Sequence, residues 1–231
     1  MAEKGLAYEG RHIELLSFDH HSDWFKKLNP SGKVPALLID GVPFVESNVI
    51  NEYLDEMYPE LSLMPTDPRA RYEVRLFSIY IDGVCLPAVQ KHNWMRRMRP
   101  VAMKWSDEEL AARLAAVPTE ERRKVWYKMA RDPYTDAELQ TALNVLIDMA
   151  ERIDAAAKKD GWIIGTAYSL ADIAAVPYVR RLEEIAPAEI APAKRPAIAD
   201  WWARIQARPA YAKALIGGYD EQSNPAYQPP K

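Results

Sequence analysis

The sequence predicts a small α/β domain followed by a larger all-helical domain. Most strand-like segments lie before residue 65, and the remainder has the three-to-four-residue apolar spacing of helices. The change falls at Leu63-Met64-Pro65-Thr66-Asp67-Pro68, where two prolines bracket a linker. We therefore predict domains at 1–62 and 67–222, a linker at 63–66 and a frayed tail at 223–231.

The composition is that of an ordinary globular protein. The 231 residues are 48% hydrophobic and 27% charged, with a formal net charge of −3. These values exclude a disordered chain and a polybasic nucleic-acid-binding chain. Apolar runs are far shorter than the ~20 residues of a membrane-spanning helix, so we expect a cytoplasmic protein with no membrane or nucleic-acid partner. One cysteine and four scattered histidines lack metal-site spacing, so we expect no metal.

The first domain has the predicted order strand, helix, hairpin, helix. Residues 12–16 favour a short strand, and residues 24–28 a helical turn. Asp40-Gly41 between two apolar runs predicts a two-residue hairpin turn. A helix is predicted from Ser47 to the residue before Pro59, because its apolar side chains recur on one face.

The second domain carries four helix signals. Asp67-Pro68 is typical of a helix start, and residues 139–153 place leucines and isoleucines on one stripe. Ser169 and Asp172 can exchange reciprocal side-chain-to-backbone hydrogen bonds at the start of a third helix. Residues 201–205 mark a last helix. We assign Ser169 and Asp172 a structural capping role.

Two short segments of the first domain suggest a binding site. Pro35 precedes an apolar strand and cannot donate a ladder hydrogen bond, which would leave the Val34 backbone free. A cis Val34-Pro35 bond would turn that backbone towards a peptide-like ligand; an ordinary turn proline is the alternative. Ser47 can cap the following helix and hold a carboxylate there, Glu46 can accept from an ammonium, and Lys33 adds a cation. Capping alone is the alternative for Ser47.

These residues resemble those of cytosolic glutathione S-transferases. The similarity to the thioredoxin-like domain of that family lies in Asn-Pro-x-Gly-Lys-Val-Pro-Ala-Leu at 29–37, Asp40-Gly41, Glu46-Ser47, Ile50, residues 52–54 and Pro59. Residues 169–173 resemble the capping motif of the family's helical domain. Within the family, residues 21–30, 105–110 and 117–126 resemble bacterial glutathione-dependent β-aryl etherases. Those enzymes cleave ether bonds in lignin-derived aromatics by transferring the carbon to glutathione.

The resemblance implies a site, a co-substrate and an assembly. The implied contacts are the Val34 backbone for the cysteinyl part of glutathione, Pro35 as the cis proline, Glu46 and Ser47 for the γ-glutamyl end, and Lys33 with His20 or His21 for the glycyl end. Glutathione would be the co-substrate, and its thiolate would attack a small aromatic or ether-bearing electrophile between the two domains. The protein would be a homodimer.

Residues 91–99 mix cations with apolar side chains. Contact with nucleic acid or anionic lipid is one interpretation, but the run is short and the chain is acidic. We expect instead that Trp94 and Met95 line an aromatic-substrate pocket while the arginines face solvent or a partner subunit. Cys85 is expected to be a core thiol, and not a nucleophile.

The opening elements of the family are not recognisable in this sequence. Family members begin with a strand, a turn carrying the Ser, Cys or Tyr that hydrogen-bonds the glutathione sulfur, and the first helix. Residues 1–6 already resemble the end of that helix, so we expect roughly 20 residues to be missing. No residue is therefore assigned a catalytic role, and we expect transferase activity to be poor or absent. A non-catalytic binding or assembly module of the same fold is the alternative.

Overall fold

The first domain contains a two-stranded antiparallel hairpin followed by a helix. In this computed structural model, which describes residues 1–214, β1 is Ala36–Ile39 and β2 is Val42–Val45. The turn residues Asp40 and Gly41 have φ of 49° and 80°, as a tight two-residue hairpin turn requires. The second helix, α2 (Ser47–Met57), then packs against β2. The predicted hairpin and helix are confirmed.

The segment before the hairpin is mostly irregular. It contains short 3₁₀ turns at Ala2–Lys4 and Asp19–His21 and a first helix, α1 (Asp23–Leu28). The predicted strand at 12–16 is wrong, because these residues form no ladder with another segment of residues 1–214. Leu15 and Leu16 both pack against one cluster of the helical domain, whereas a strand would send neighbouring side chains to opposite faces.

The second domain opens with a helical rod that contains two wider turns. It consists of α3 (Pro68–Tyr80), α4 (Leu86–Asn93) and α5 (Arg99–Ala102), joined by π turns at Ile81–Cys85 and Trp94–Met98. Pro87 and Pro100 follow the two π turns closely. A proline removes one backbone donor and clashes with the carbonyl four residues earlier, so a widened turn accommodates each ring.

Further helices follow in the described chain. They are α6 (Asp107–Ala116), α7 (Glu120–Arg131), α8 (Asp136–Asp160), α9 (Leu170–Ile185), α10 (Pro196–Gln206) and α11 (Pro209–Lys213). The main core contains residues of α8, α9 and α10, whereas α6 and α7 contribute to a second core. Leu146 and Ile153 of the predicted stripe are fully buried, and so is Cys85, whose thiol pKa is raised by burial to about 11.

Because α11 follows α10, the prediction that 201–205 mark the last helix is wrong. The predicted frayed tail lies outside the described residues. No helix within residues 1–214 combines the length and apolar character needed to cross a bilayer.

A second core joins the two domains. Its aromatic members are Phe18 from the first domain and Trp94, Trp105 and Trp126 from the second, and we call these four residues the aromatic cluster. The ring centres of Phe18 and Trp126 are 4.7 Å apart, and Trp94 stacks on Trp126 at 6.0 Å. Through Leu15, Leu16 and Phe18, the segment before α1 therefore packs against the helical domain.

The start of the described chain also bridges the domains. Lys4 forms a buried ion pair with Asp55 of α2 at 2.7 Å, and Asp55 accepts from the amides of Leu63 and Met64 at 2.8 and 3.0 Å. Glu3 pairs with Arg208 at 2.8 Å. These contacts fix α2, and hence the hairpin beside it, relative to the helical domain.

Candidate functional site

The strand edge beside Pro35 has the predicted geometry. The Val34–Pro35 peptide bond is cis, and the Val34 side chain is 45% exposed. Neither the amide nor the carbonyl of Val34 forms a hydrogen bond with another group of residues 1–214. Because Ala36 pairs with Val45 across the hairpin, Pro35 and Glu46 lie at the same end of it. The two predicted segments therefore meet, and a free backbone edge is available to a peptide-like ligand.

The start of α2 differs from the prediction by one residue. Glu46 is the N-cap residue with φ of 67° and ψ of 103°, and Ser47 is the first helical residue. The Ser47 hydroxyl makes no capping hydrogen bond, so the predicted cap is wrong. The first amides of α2 consequently stay open to an anion. A non-glycine residue at positive φ costs about 1–3 kcal/mol and is found preferentially at functional sites.

The polar side chains predicted for the site are exposed and unengaged. Lys33, Glu46 and Ser47 are exposed, and none of the three side chains bonds to another group of residues 1–214. They consequently form no internal contacts that a ligand would have to break.

The two histidines predicted to help Lys33 are buried instead. His20 and His21 are 3% and 2% exposed, and their ring centres are 3.8 Å apart. Burial and the nearby Arg122 lower the pKa of His20 to about 4, and burial with the charges of His20 and Arg122 lowers that of His21 to about 3. A neutral, buried pair offers no cation to a glycyl carboxylate. Lys33 is the remaining cation of the predicted set.

The loop at 29–33 is fixed by contacts that the sequence did not reveal. Buried Asn29 donates to the Lys33 carbonyl at 2.7 Å and accepts from the Ser31 amide and hydroxyl at 3.1 and 2.7 Å. Arg122 of α7 donates to the Ser31 and Gly32 carbonyls. Asn29 could have been suspected from its place before a turn proline, whereas no local signal marks Arg122.

Trp94 and Met95 lie on the second π turn and are half-buried. Trp94 belongs to the aromatic cluster, so the structure places it beside other large aromatic rings. The expectation that the nearby arginines face solvent or a partner is only partly met: Arg97 contacts Glu184 at 3.4 Å and Arg99 donates to the Met129 carbonyl at 2.7 Å.

An open groove lies close to the aromatic cluster. Its volume is about 440 Å³, and neither Trp94 nor Met95 lines it. It runs between the first-domain residues Ser17, Phe18, His21 and Ser22 and the α6 residues Glu109, Ala112, Arg113 and Ala116. Within residues 1–214 no group of three or more His, Cys, Asp or Glu side chains is arranged to hold a metal ion.

The predicted capping pair at the start of α9 is confirmed. The Asp172 carboxylate accepts from the Ser169 amide at 2.9 Å, and the Ser169 hydroxyl accepts from the Ala171 amide. Asp172 is fully buried and also accepts from the Ile163 amide and the Trp201 indole at 3.1 and 2.8 Å. Its bonds tie three segments of the helical domain together, which supports a structural role.

Known proteins resemble this chain in sequence and in structure. Protein LigF of Sphingobium sp. strain SYK-6 is 35% identical over 214 residues, which cover 90% of this chain and 83% of LigF. The crystal structure of that protein, described as a beta-etherase, matches with a TM-score of 0.85 at 34% identity over 92% of this chain and 89% of the other. A stringent starvation protein A homolog of Histophilus somni is 34% identical over 113 residues, covering 48% of this chain and 52% of that protein.

A more distant structure shares the fold. A glutathione transferase family member of Pseudomonas fluorescens, crystallised with two glutathione molecules bound, matches at 22% identity with a TM-score of 0.66 over 93% of this chain and 84% of the other. The family models for the N-terminal and C-terminal domains of glutathione S-transferase match residues 1–56 and 111–209. The thioredoxin-like domain with its small antiparallel sheet and the helical domain after it form the glutathione S-transferase fold, and the chain belongs to the glutathione S-transferase family.

Proposed function

We propose that the chain binds glutathione and transfers it to an aromatic electrophile, with a β-aryl ether as the substrate. The observation that carries this proposal is the exposed cis Val34–Pro35 edge beside Glu46 and Ser47. Similarity to a beta-etherase over nine-tenths of the chain supports the choice of substrate.

Glutathione fits the two ends of this edge. The cysteinyl unit would pair with the Val34 amide and carbonyl, which are unpaired within residues 1–214. The γ-glutamyl carboxylate would accept from the first amides of α2 and from the Ser47 hydroxyl, and its ammonium would donate to Glu46. Lys33 would meet the glycyl carboxylate. Each charged group of glutathione would therefore meet either an exposed side chain of opposite charge or the backbone amides at the start of α2.

The proposed reaction is a nucleophilic displacement at carbon. The glutathione thiol loses its proton to solvent, and the thiolate sulfur attacks the carbon that bears the aryloxy group. A carbon–sulfur bond forms while the carbon–oxygen bond breaks, and the phenolate that leaves takes a proton from solvent. The products are one thioether and one phenol for each ether consumed, with no change in net oxidation state.

The aromatic cluster would hold the electrophile. Trp94 belongs to this cluster, its sequence neighbour Met95 is half-buried, and aromatic rings favour offset or edge-on contact with a substrate ring. Phe18 connects the cluster to the same segment that precedes the glutathione loop. Both reactants would thus lie against one rigid unit, which lowers the entropic cost of bringing them together.

Product identity tests the proposal. The protein is incubated with glutathione and a β-aryl ether, and the mixture is analysed by liquid chromatography and mass spectrometry. We expect protein-dependent formation of the glutathione thioether and the phenol in equal amounts. Ether loss without a thioether would contradict the reaction, and a protein that converts neither this ether nor a generic aromatic electrophile would contradict the transferase assignment.

A non-catalytic glutathione-binding module is the second candidate. The similarity of about half of the chain to a stringent starvation protein A homolog, a relative whose name does not describe a transferase, favours it. It predicts that calorimetry detects glutathione binding while no thioether forms. A homodimeric state, which the family resemblance implies, and a cytosolic location, which the short apolar runs of the sequence suggest, remain predictions.

A further inference from the structure

Arg122 connects the helical domain to the candidate glutathione loop. From the first turn of α7 its Nη1 donates to the carbonyls of Ser31 and Gly32 at 2.6 and 2.8 Å. These are the last two carbonyls before Lys33, Val34 and the cis proline. The contact joins residues about 90 positions apart in the sequence, so it is a tertiary restraint on the loop.

The other side of the same loop is held by the first domain. Asn29 donates to the Lys33 carbonyl at 2.7 Å, and Gly32 has φ of 59°. A Cβ atom at Gly32 would lie 2.7 Å from Nδ1 of His21, so the histidine ring packs directly on the loop backbone. Arg122 therefore closes a clamp around residues 31–33.

The electrostatic setting of Arg122 indicates a positioning role rather than a conventional ion pair. Its guanidinium is half-buried, and burial lowers its pKa. No acidic side chain within residues 1–214 pairs with it. Its donors are directed to neutral backbone carbonyls, so replacing Arg122 would not strand a buried carboxylate. The main structural consequence of a substitution would be a looser loop.

The helix that carries Arg122 also contributes to the aromatic cluster. Trp126 lies four residues later, on the same face of α7, and its ring centre is 4.7 Å from that of Phe18 and 6.0 Å from that of Trp94. One helix thus touches both the candidate glutathione loop and the aromatic cluster.

We propose that Arg122 is a positioning residue for glutathione, holding the Ser31 and Gly32 carbonyls so that the Val34 backbone faces the cysteinyl unit. This proposal rests on the proposed function and deepens it. The two hydrogen bonds from Arg122 are charge-assisted and therefore stronger than neutral ones. Losing them should measurably weaken the affinity for glutathione.

The test compares R122Q and R122K with R123Q. Arg123 is a matched control, because it lies next to Arg122 on α7 and donates to the Val117 carbonyl at 2.8 Å, away from the loop. We expect R122Q to raise the dissociation constant and KM for glutathione about tenfold and to change kcat less than about threefold. R122K should be intermediate, and R123Q should leave glutathione affinity unchanged even if its Tm falls.

Hydrogen exchange of the ligand-free proteins supplies a second readout. We expect faster exchange of the amides at 32–34 in R122Q and unchanged exchange in R123Q. Equal glutathione affinity and equal loop exchange in R122Q and wild type would overturn the positioning role, and so would equal weakening by R123Q. If wild type failed to bind glutathione while R122Q still loosened the loop, the proposed function would be wrong and Arg122 would be only a structural clamp.

Discussion

Asp172 shows how one side chain can hold a domain together. It accepts four hydrogen bonds, from the Ser169 amide and hydroxyl, the Ile163 amide and the Trp201 indole. We predict that D172A lowers the free energy of unfolding by about 3 kcal/mol, because it leaves buried donors without an acceptor. Thermal melts should show a Tm lower by roughly 6–12 °C, with KM for glutathione unchanged. D172N keeps one acceptor oxygen and should lose less. A wild-type Tm with abolished turnover would show that Asp172 acts in the reaction.

His20 and His21 should make stability depend on pH. Their pKa values are lowered in the folded protein to about 4 and about 3 from the usual 6.5. Between those values and 6.5 the unfolded chain binds protons that the folded chain excludes, so their contribution is complete above pH 6.5 and is lost as pH falls. We predict a loss of about 2 kcal/mol for each histidine between pH 7.5 and 5.0. Urea unfolding should show a smaller loss in H21Q, and an identical pH dependence would contradict the buried neutral ring.

At the scale of elements, the start of α2 should contribute to glutathione binding through the Ser47 hydroxyl, while that hydroxyl should not contribute to the stability of the fold. Because Glu46 is the N-cap residue and the Ser47 hydroxyl makes no capping bond, S47A should leave Tm unchanged. We predict that it weakens glutathione binding by about 0.5–1.5 kcal/mol through loss of one hydrogen bond, measured by calorimetry. S78A is a control, since that hydroxyl bonds within α3. Unchanged affinity in S47A would remove the Ser47 hydroxyl from the site, and a lower Tm would show that this hydroxyl caps α2 after all.

The sequence predicted those elements whose determinants are local. Asp40-Gly41 specifies a hairpin turn, Ser169 and Asp172 specify a helix start, and the proline after Val34 marks the strand edge. Predictions failed where partners lie far along the chain. Leu15 and Leu16 pack on the helical domain instead of forming a strand, and the two histidines are buried beside Phe18. The contact of Arg122 with the 29–33 loop could not be predicted, because the sequence around Arg122 gives no indication of a partner about 90 residues away.

At the scale of the whole molecule, α3 presents an apolar face that the described residues leave open. Tyr72, Leu76 and Ile79 follow the spacing of one helical face and are 61%, 51% and 69% exposed. Apolar faces of this kind commonly mark interfaces between subunits. We predict that the homodimer uses this face and that I79R shifts the protein to monomer in light scattering. Y127R changes an exposed side chain on α7 and should stay dimeric. A wild-type monomer at micromolar concentration, or a dimer in I79R, would contradict this arrangement.

The proposed binding of glutathione along the Val34 edge is tested most directly by a crystal structure of the protein with glutathione. We predict that the cysteinyl backbone pairs with the Val34 amide and carbonyl, that the γ-glutamyl end lies against Glu46 and the first amides of α2, and that the glycyl end lies near Lys33. Glutathione bound elsewhere, or a vacant Val34 edge in crystals saturated with glutathione, would contradict this binding mode.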